Sequence, residues 1–135
     1  MIQVENGLVT YLRDMMPVYL GEIVPIFARE APIKSTLPYV IVAKMSGTPE
    51  YLMAMNGPIS YRYQVQGVSV ATGGDIGGRI DRAIERCLNN ADFQCEGLRV
   101  IRCKRTADID YREDIAGRNA YHEGGIYEIT VGAAP

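Results

Sequence analysis

The pattern that most constrains this chain is an apolar stripe between residues 75 and 89. Apolar side chains recur there at the three- and four-residue spacing of an α-helix: Ile76, Ile80, Ala83, Ile84, Cys87 and Leu88. Asp75 stands at the N-cap position, and the pair Asn89 and Asn90 provides a stop. The pattern predicts an amphipathic helix whose apolar face packs on a sheet.

The charged residues of this helix fall on two different sides of the stripe. At about 100° per residue, one flank is basic and the other is acidic. The basic flank comprises Arg79, Arg82 and Arg86, and the acidic flank comprises Asp81 and Glu85. Two interpretations stay open at this point. The flanks form an ordinary solvated surface, or they are opposite edges that contact two neighbouring subunits.

Two shorter segments precede the first long strand. Apolar residues at helical spacing (Leu8, Tyr11, Leu12 and Met15) follow a cap at Asn6 and predict a short helix that Pro17 ends. Residues 23–27 predict a short strand, and Pro25 and Pro32 favour an edge position for it.

The middle of the chain predicts two long strands. Residues 39–45 are apolar on both faces, which is typical of a core strand with a helix on one side and another layer on the other. From residue 59, apolar and polar residues alternate, with one buried face that comprises Ile59, Tyr61, Tyr63 and Val65. The alternation changes phase at Gly67, which predicts a bulge or bend.

The C-terminal third predicts two further strands. Residues 98–105 form a strand with a strongly basic second half, residues 108–114 form an acidic loop, and residues 121–131 form the closing strand. The sequence therefore predicts one α+β domain spanning residues 1–135. Its mixed or antiparallel sheet has about four or five strands, and two helices pack on one face.

The segment of residues 48–60 joins two of these strands and has turn formers at both ends. Its middle is apolar and comprises Tyr51, Leu52, Met53 and Met55. One interpretation is a long β-hairpin tip that packs on its own domain. The other is an exposed, methionine-rich β-hairpin arm that contacts another subunit, because methionine fits irregular interfaces.

Composition narrows the function classes. A net charge of −2, from 14 basic and 16 acidic residues, argues against a protein that grips duplex DNA tightly, so any DNA contact is expected to be loose. No apolar run approaches the roughly 20 residues of a membrane span, and the first residues lack a secretory signal pattern, so we expect no membrane association.

The three cysteines, Cys87, Cys95 and Cys103, are interpreted as small buried hydrophobic residues.

Candidate chemistry in the sequence is sparse. Residues 72–79, TGGDIGGR, match neither dinucleotide nor phosphate-loop patterns and lack the phosphate-binding lysine. His122 has no second ligand at metal-site spacing, and the acidic residues Asp108, Asp110, Glu113 and Asp114 are interpreted as a solvated turn. We therefore expect no catalytic residues, no metal and no cofactor, and the protein is not expected to be an enzyme.

Four segments in this order carry a resemblance to a known family: APIKSTLPYVIVAKMSGTPEY, SYRYQVQGVSV, GGDIGGRIDRAIERCLNN and IYEITV. The chain resembles the tail-terminator, or tail-completion, proteins of long-tailed bacteriophages. The resemblance implies a structural virion protein, assembled in the host cytoplasm, whose ring (expected to be a hexamer) caps the tail tube at the end that joins the head. The implied partners are further copies of the chain, the tail tube protein and a neck protein, with DNA passing loosely through the lumen.

The resemblance also implies where subunits meet. The family pattern places a long hairpin and helix edges at subunit contacts, which correspond here to residues 48–60 and the flanks of the 75–89 helix. Two alternatives stay open. One is another neck component, such as a head-side stopper or adaptor, and the other is a small cytosolic enzyme or ligand-binding module.

Overall fold

A six-stranded mixed sheet carries two helices on one face. The computed structural model describes residues 2–32, 35–47, 59–70, 76–115 and 118–133. Its elements are α1 (Ile2–Leu20), β1 (Ile26–Ala28), β2 (Tyr39–Gly47), β3 (Ile59–Val70), α2 (Ile76–Leu88), β4 (Gln94–Cys95), β5 (Leu98–Ile115) and β6 (Arg118–Ala133). The strand order is β1-β2-β3-β6-β5-β4. The pair β1–β2 is parallel, and the other four neighbouring pairs are antiparallel.

The predicted α+β class is confirmed. The sheet has six strands rather than the four or five expected, because the two-residue strand β4 adds one strand at the edge beside β5. Strands of this length have too few residues to show a periodic pattern in the sequence.

The main core lies between the two helices and the helix-bearing face of the sheet. Its largest fully buried side chains are Tyr61, Tyr63, Tyr127, Leu8, Leu12, Met16, Ile80, Ile84, Leu88 and Ile129. Burial of each Leu or Ile side chain stabilises the fold by roughly 1.5–3 kcal/mol. The alternation predicted for β3 is confirmed, since Ile59, Tyr61, Tyr63 and Val65 all belong to this core.

α1 is longer than the sequence predicted at both ends. It begins before Asn6 and continues through Pro17 to Leu20, so the predicted cap and stop were both wrong. Met16 and Leu20 are buried in the core, and this packing holds the last turn although Pro17 cannot donate a backbone hydrogen bond. The helix ends where the amide of Gly21, at φ 84°, donates to the carbonyl oxygen of Pro17.

The edge position predicted for the strand after α1 is confirmed, although the strand is shifted to Ile26–Ala28. The second layer predicted over β2 was wrong for the part of the chain that the structure describes. Val40 and Val42 face the helices, whereas Tyr39 on the other face joins a small cluster with Val68 and Ala120. That cluster is flanked by side chains of β1, β2 and the connection between them: Phe27, Ala31, Leu37 and Ile41.

Gly67 does not mark a bulge. The pairing of β3 with β6 runs without a register shift through Gly67, which faces α2. A Cβ atom at this position would lie 2.6 Å from Cγ2 of Ile80, so the glycine makes room for the helix. The apolar phase changes there because Val68 contributes to the small cluster on the opposite face.

The acidic loop predicted at residues 108–114 is part of β5. It pairs with β6 from Asp108↔Gly125 to Asp114↔Asn119, and β5 and β6 together form a long hairpin. The sequence prediction failed because five of these seven residues are charged, whereas the hairpin is stabilised by backbone pairing along β6.

α2 closely follows the prediction. Its buried face includes Ile80, Ala83, Ile84, Cys87 and Leu88, whereas the predicted member Ile76 is 44% exposed at the first turn. Asn90 adopts φ 59°, a conformation typical of the residue after a helix. Asp75, the predicted cap, lies outside the described residues.

The predicted hairpin arm also lies outside the described residues, apart from its last two positions, Ile59 and Ser60. The strands on either side are antiparallel neighbours, with Gly47 paired to Tyr61. Among the helices described, none is long and apolar enough to cross a membrane.

Candidate assembly surfaces

The acidic flank of α2 lies against the β5–β6 hairpin, where a single arginine joins the two. Nη1 of Arg105 lies 2.8 Å from Oδ1 of Asp81, and Nε lies 2.9 Å from Oδ1 of Asp108. The same guanidinium donates to the carbonyl oxygen of Gly124 at 2.6 Å and to the hydroxyl oxygen of Tyr127 at 3.1 Å. Burial lowers the pKa of Arg105, but the hydrogen bonds to Asp81 and Tyr127 and the negative charge of Asp81 raise it more. Arg105 therefore stays cationic and anchors α2 to the hairpin.

This arginine lies in a cleft rich in carboxylates, here called the acidic cleft. Its lining residues are Asp81, Glu85, Arg105, Asp108, Ile109, Asp110 and Glu123. The pKa of Glu123 is raised above its ordinary value by burial and then by the charges of Asp110 and Asp81, while Arg82 lowers it. Five carboxyl groups surround one guanidinium, so the cleft presents a negative surface.

The basic flank of α2 lies on the other side of the helix, next to the C-terminal end of α1. Arg79 donates from Nη2 to the carbonyl oxygen of Leu20 at 3.3 Å. Arg82 and Arg86 are exposed and line clefts with Tyr19, which is 43% exposed. Arg79 and Asp81 therefore contact different neighbours in the fold, whereas Glu85 lines a cleft with Arg82 and Arg86 as well as the acidic cleft.

Exposed apolar residues lie around the C-terminal end of α1 and the N-terminal end of α2. Ile23 is 86% exposed and Val18 is 68% exposed. Ile23 and Ile76 line one cleft with Val24, Pro25, Leu37 and Pro38. This surface was not predicted from the sequence, because the local pattern placed Ile23 in a strand and Ile76 in the buried stripe of α2.

His122 lies on the face of the sheet that carries no helix. It is buried, with Nδ1 3.3 Å from Oε1 of Gln66 and Nε2 3.1 Å from Oε1 of Glu113. The ring of Tyr111 stacks on it at a centroid distance of 4.3 Å. These contacts join the neighbouring strands β3, β6 and β5, so the histidine has a structural role in the sheet.

The three cysteine thiols lie in the main core, as predicted. Burial raises the pKa of Cys87 and Cys95 to about 11 and that of Cys103 to about 12, so the thiolate is disfavoured at neutral pH. Within the described ranges, the His, Cys, Asp and Glu side chains form no group arranged to hold a metal ion.

Nine residues were predicted from the sequence to contact another subunit or the tail tube, and the structure describes the positions of five of them. Arg79, Arg82 and Arg86 lie together beside α1, and Asp81 and Glu85 line the acidic cleft. The remaining four lie outside the described residues: Tyr51, Leu52, Met53 and Met55. The hairpin residues that enlarge the acidic flank were missed, because Asp108, Asp110 and Glu123 approach Asp81 only through the folding of the sheet.

Comparison with known proteins identifies the fold. No protein-family model and no curated protein matches the sequence. One similar solved structure is a chain in the virion of a native gene transfer agent particle, with a TM-score of 0.66 and 12% identity, over 96% of this chain and 95% of that chain. A second solved chain has a TM-score of 0.66 and 13% identity, over 99% of this chain and 96% of its own length. Nearly the whole chain therefore shares its fold with a chain of a virion particle.

Proposed function

We propose that this protein is a structural component of a phage-like virion and that it acts without catalysis. The observation that carries the proposal is the fold shared with a gene transfer agent virion chain over 96% of this chain and 95% of that one. A match that spans both chains from end to end leaves little of either outside the common architecture. The order of sequence segments, which resembles tail terminators, supports the same class.

The specific role proposed is a ring, expected to be a hexamer, that caps the head-proximal end of the tail tube. It ends tube polymerisation and docks the tail to a neck protein, and it is assembled in the host cytoplasm. Its partners are copies of itself, the tail tube protein and the neck protein. Two unlike surfaces on one subunit support this role, because a closed ring requires a heterologous contact between different patches.

The ring contact is proposed to join the basic flank of one subunit to the acidic cleft of the next. Arg82 and Arg86 supply exposed positive charge beside the apolar Tyr19, and the cleft supplies excess negative charge beside Ile109. Asp81 and Asp108 are already paired with Arg105 within the subunit. The carboxylates of Glu85, Asp110 and Glu123 are therefore the ones proposed to meet the neighbour.

Native mass and electron microscopy of the purified protein test the ring. The parent is expected to give closed particles, and Arg82→Glu with Arg86→Glu is expected to weaken assembly at least tenfold, because like charges then face each other across the contact. Adding Glu85→Arg and Asp110→Arg to the same chain should restore assembly. Lys44→Glu with Arg112→Glu, at two exposed side chains, is the matched control for charge change. A parent that stays monomeric at all concentrations tested, or a double variant that assembles as well as the control, contradicts the proposal.

The arm of residues 48–60 is proposed as a second contact, on the strength of its sequence alone. Its apolar residues Tyr51, Leu52, Met53 and Met55 need a surface to bury against. Hydrogen exchange of the isolated and the assembled protein should show greater protection of this segment in the assembly. Equal protection in both states would mean that the segment packs on its own domain.

A further inference from the structure

Four cationic side chains project from the helix-free face of the sheet at one end of β5. In β5, Val100 and Cys103 are buried in the main core, whereas Arg99, Arg102 and Lys104 are exposed. Arg62 of β3 lies between the fully buried Tyr61 and Tyr63 and therefore also points away from the helices. These four residues, Arg62, Arg99, Arg102 and Lys104, are here called the basic strand patch.

The pairing register brings the members of the patch into adjacent rows. Lys104 and Arg62 lie on either side of Glu128, and Arg102 pairs with Thr130, the next row along. Only Arg62 has an ion-pair partner among the described residues, and its Nε lies 3.9 Å from Oε2 of Glu128. Four cations thus share one region of the sheet face with one carboxylate, that of Glu128.

The patch is positive although the chain as a whole has a net charge of −2. The compensating carboxylates lie elsewhere, chiefly in the acidic cleft on the helix-bearing side. Along β5 the charge changes from basic at residues 99–105 to mainly acidic at residues 108–114. This separation creates a local positive field that the net charge conceals.

We propose that the basic strand patch contacts the phosphate backbone of duplex DNA. At about 3.4 Å per residue, the β5 cations span roughly 15 Å, and a duplex carries one phosphate charge per about 1.7 Å of its axis, so each cation has a phosphate within reach. The patch offers no groove-entering helix or ribbon, so the contact is independent of base sequence. This inference rests on the proposed function for the place where the protein meets DNA, which is the opening of the ring.

The acidic cleft of a second copy fits the patch less well. That cleft is a recess that already contains the cation Arg105, and the basic flank of α2 is the partner already proposed for it. The cations of the patch are exposed on the face of the sheet that carries no helix, and a long, regular polyanion can contact such a face without entering a recess.

The test measures fluorescence anisotropy of a labelled 30-base-pair duplex, roughly three helical turns, with the assembled parent protein in low and moderate salt. The variant is Arg99→Gln, Arg102→Gln and Lys104→Gln, and the control removes three exposed charges elsewhere through Arg13→Gln, Lys44→Gln and Arg112→Gln. The parent and the control should bind weakly at low salt. The variant should bind at least tenfold more weakly, and its slope of log K against log salt should be shallower by about 2–3.

Equal binding by variant and control, or no binding by the parent at low salt, overturns the inference. Native mass is measured on the same samples. If the variant alone loses its assembled state, the patch is a contact between subunits and the DNA proposal is wrong. If the parent is monomeric and the variant still loses binding that the control retains, the ring proposal fails and the DNA contact stands.

Discussion

The two faces of the sheet perform different physical tasks. The helix-bearing face holds nearly all of the apolar core, with residues from both helices and from all six strands. The helix-free face buries a small apolar cluster and the His122 contacts at one end, and it exposes the basic strand patch at the other. Stability is therefore expected to depend on the helix-bearing face. Contacts with partners are expected to depend on the charged residues around the helices and on the helix-free face.

The largest expected effect is the loss of stability on truncating a core residue of the helix-bearing face. Ile84→Ala removes a fully buried side chain of α2 and should lower the free energy of unfolding by about 2–5 kcal/mol, since it loses burial and leaves a cavity. Ile101→Ala, at a side chain 54% exposed on the helix-free side, should change it by less than about 0.5 kcal/mol. Chemical denaturation measures both. Similar losses would break the division between the faces.

A pair of glycine substitutions sharpens the same comparison. Gly67→Ala places a Cβ atom against Ile80 on the helix-bearing face and should cost about 1–3 kcal/mol through overpacking. Gly132→Ala meets only the flexible Cδ1 end of Ile101, at 3.0 Å, and should cost much less. Combining Gly67→Ala with Ile80→Leu, whose Cβ carries no methyl branch, should recover part of the loss in thermal denaturation. No recovery would mean that the helix contact is not the reason for the glycine.

Substitution of two arginines compares how much an ion pair on each face contributes to stability. Arg105→Gln should cost about 1–2 kcal/mol, because it leaves Asp81 unpaired in the acidic cleft and removes the link between α2 and the hairpin. Arg62→Gln should cost less than about 0.5 kcal/mol, since its pair with Glu128 is 3.9 Å long and exposed. Denaturant midpoints provide the measurement. If Arg62→Gln proved the more damaging change, the assignment of the structural ion pair to the helix-bearing face would be wrong.

The buried thiols predict how stability depends on alkaline pH. Burial raises the pKa of Cys103 from an ordinary value of 9.0 to about 12, so the folded state binds this proton more tightly than the unfolded chain does. That stabilisation is fully present below about pH 9 and is lost as the pH rises towards 12. At pH 10 the loss is on the order of 1 kcal/mol for this thiol. Unfolding of Cys103→Ala should show a correspondingly smaller decline between pH 8 and pH 10, and an unchanged decline would contradict it.

Local periodicity predicted the elements that meet the core along their whole length. The α2 stripe and the alternation of β3 were readable because each residue's burial depends on its position in a regular repeat. The prediction failed at Pro17, where packing of Met16 and Leu20 extends the helix, and at residues 108–114, where polar residues pair along β6. In each case a partner distant in the sequence outweighed the local preference.

The candidate surfaces show the same limit. The spacing of Arg79, Arg82 and Arg86 against Asp81 and Glu85 was sufficient to place opposite charges on two flanks of one helix. The spacing could not show that Arg105 pairs with Asp81 or that Asp110 and Glu123 enlarge the negative surface. Side-chain charge and repeat period are local properties of the chain. Neutralisation depends on distances between residues that only the folded sheet brings within a few ångströms, and Coulomb energy varies inversely with those distances.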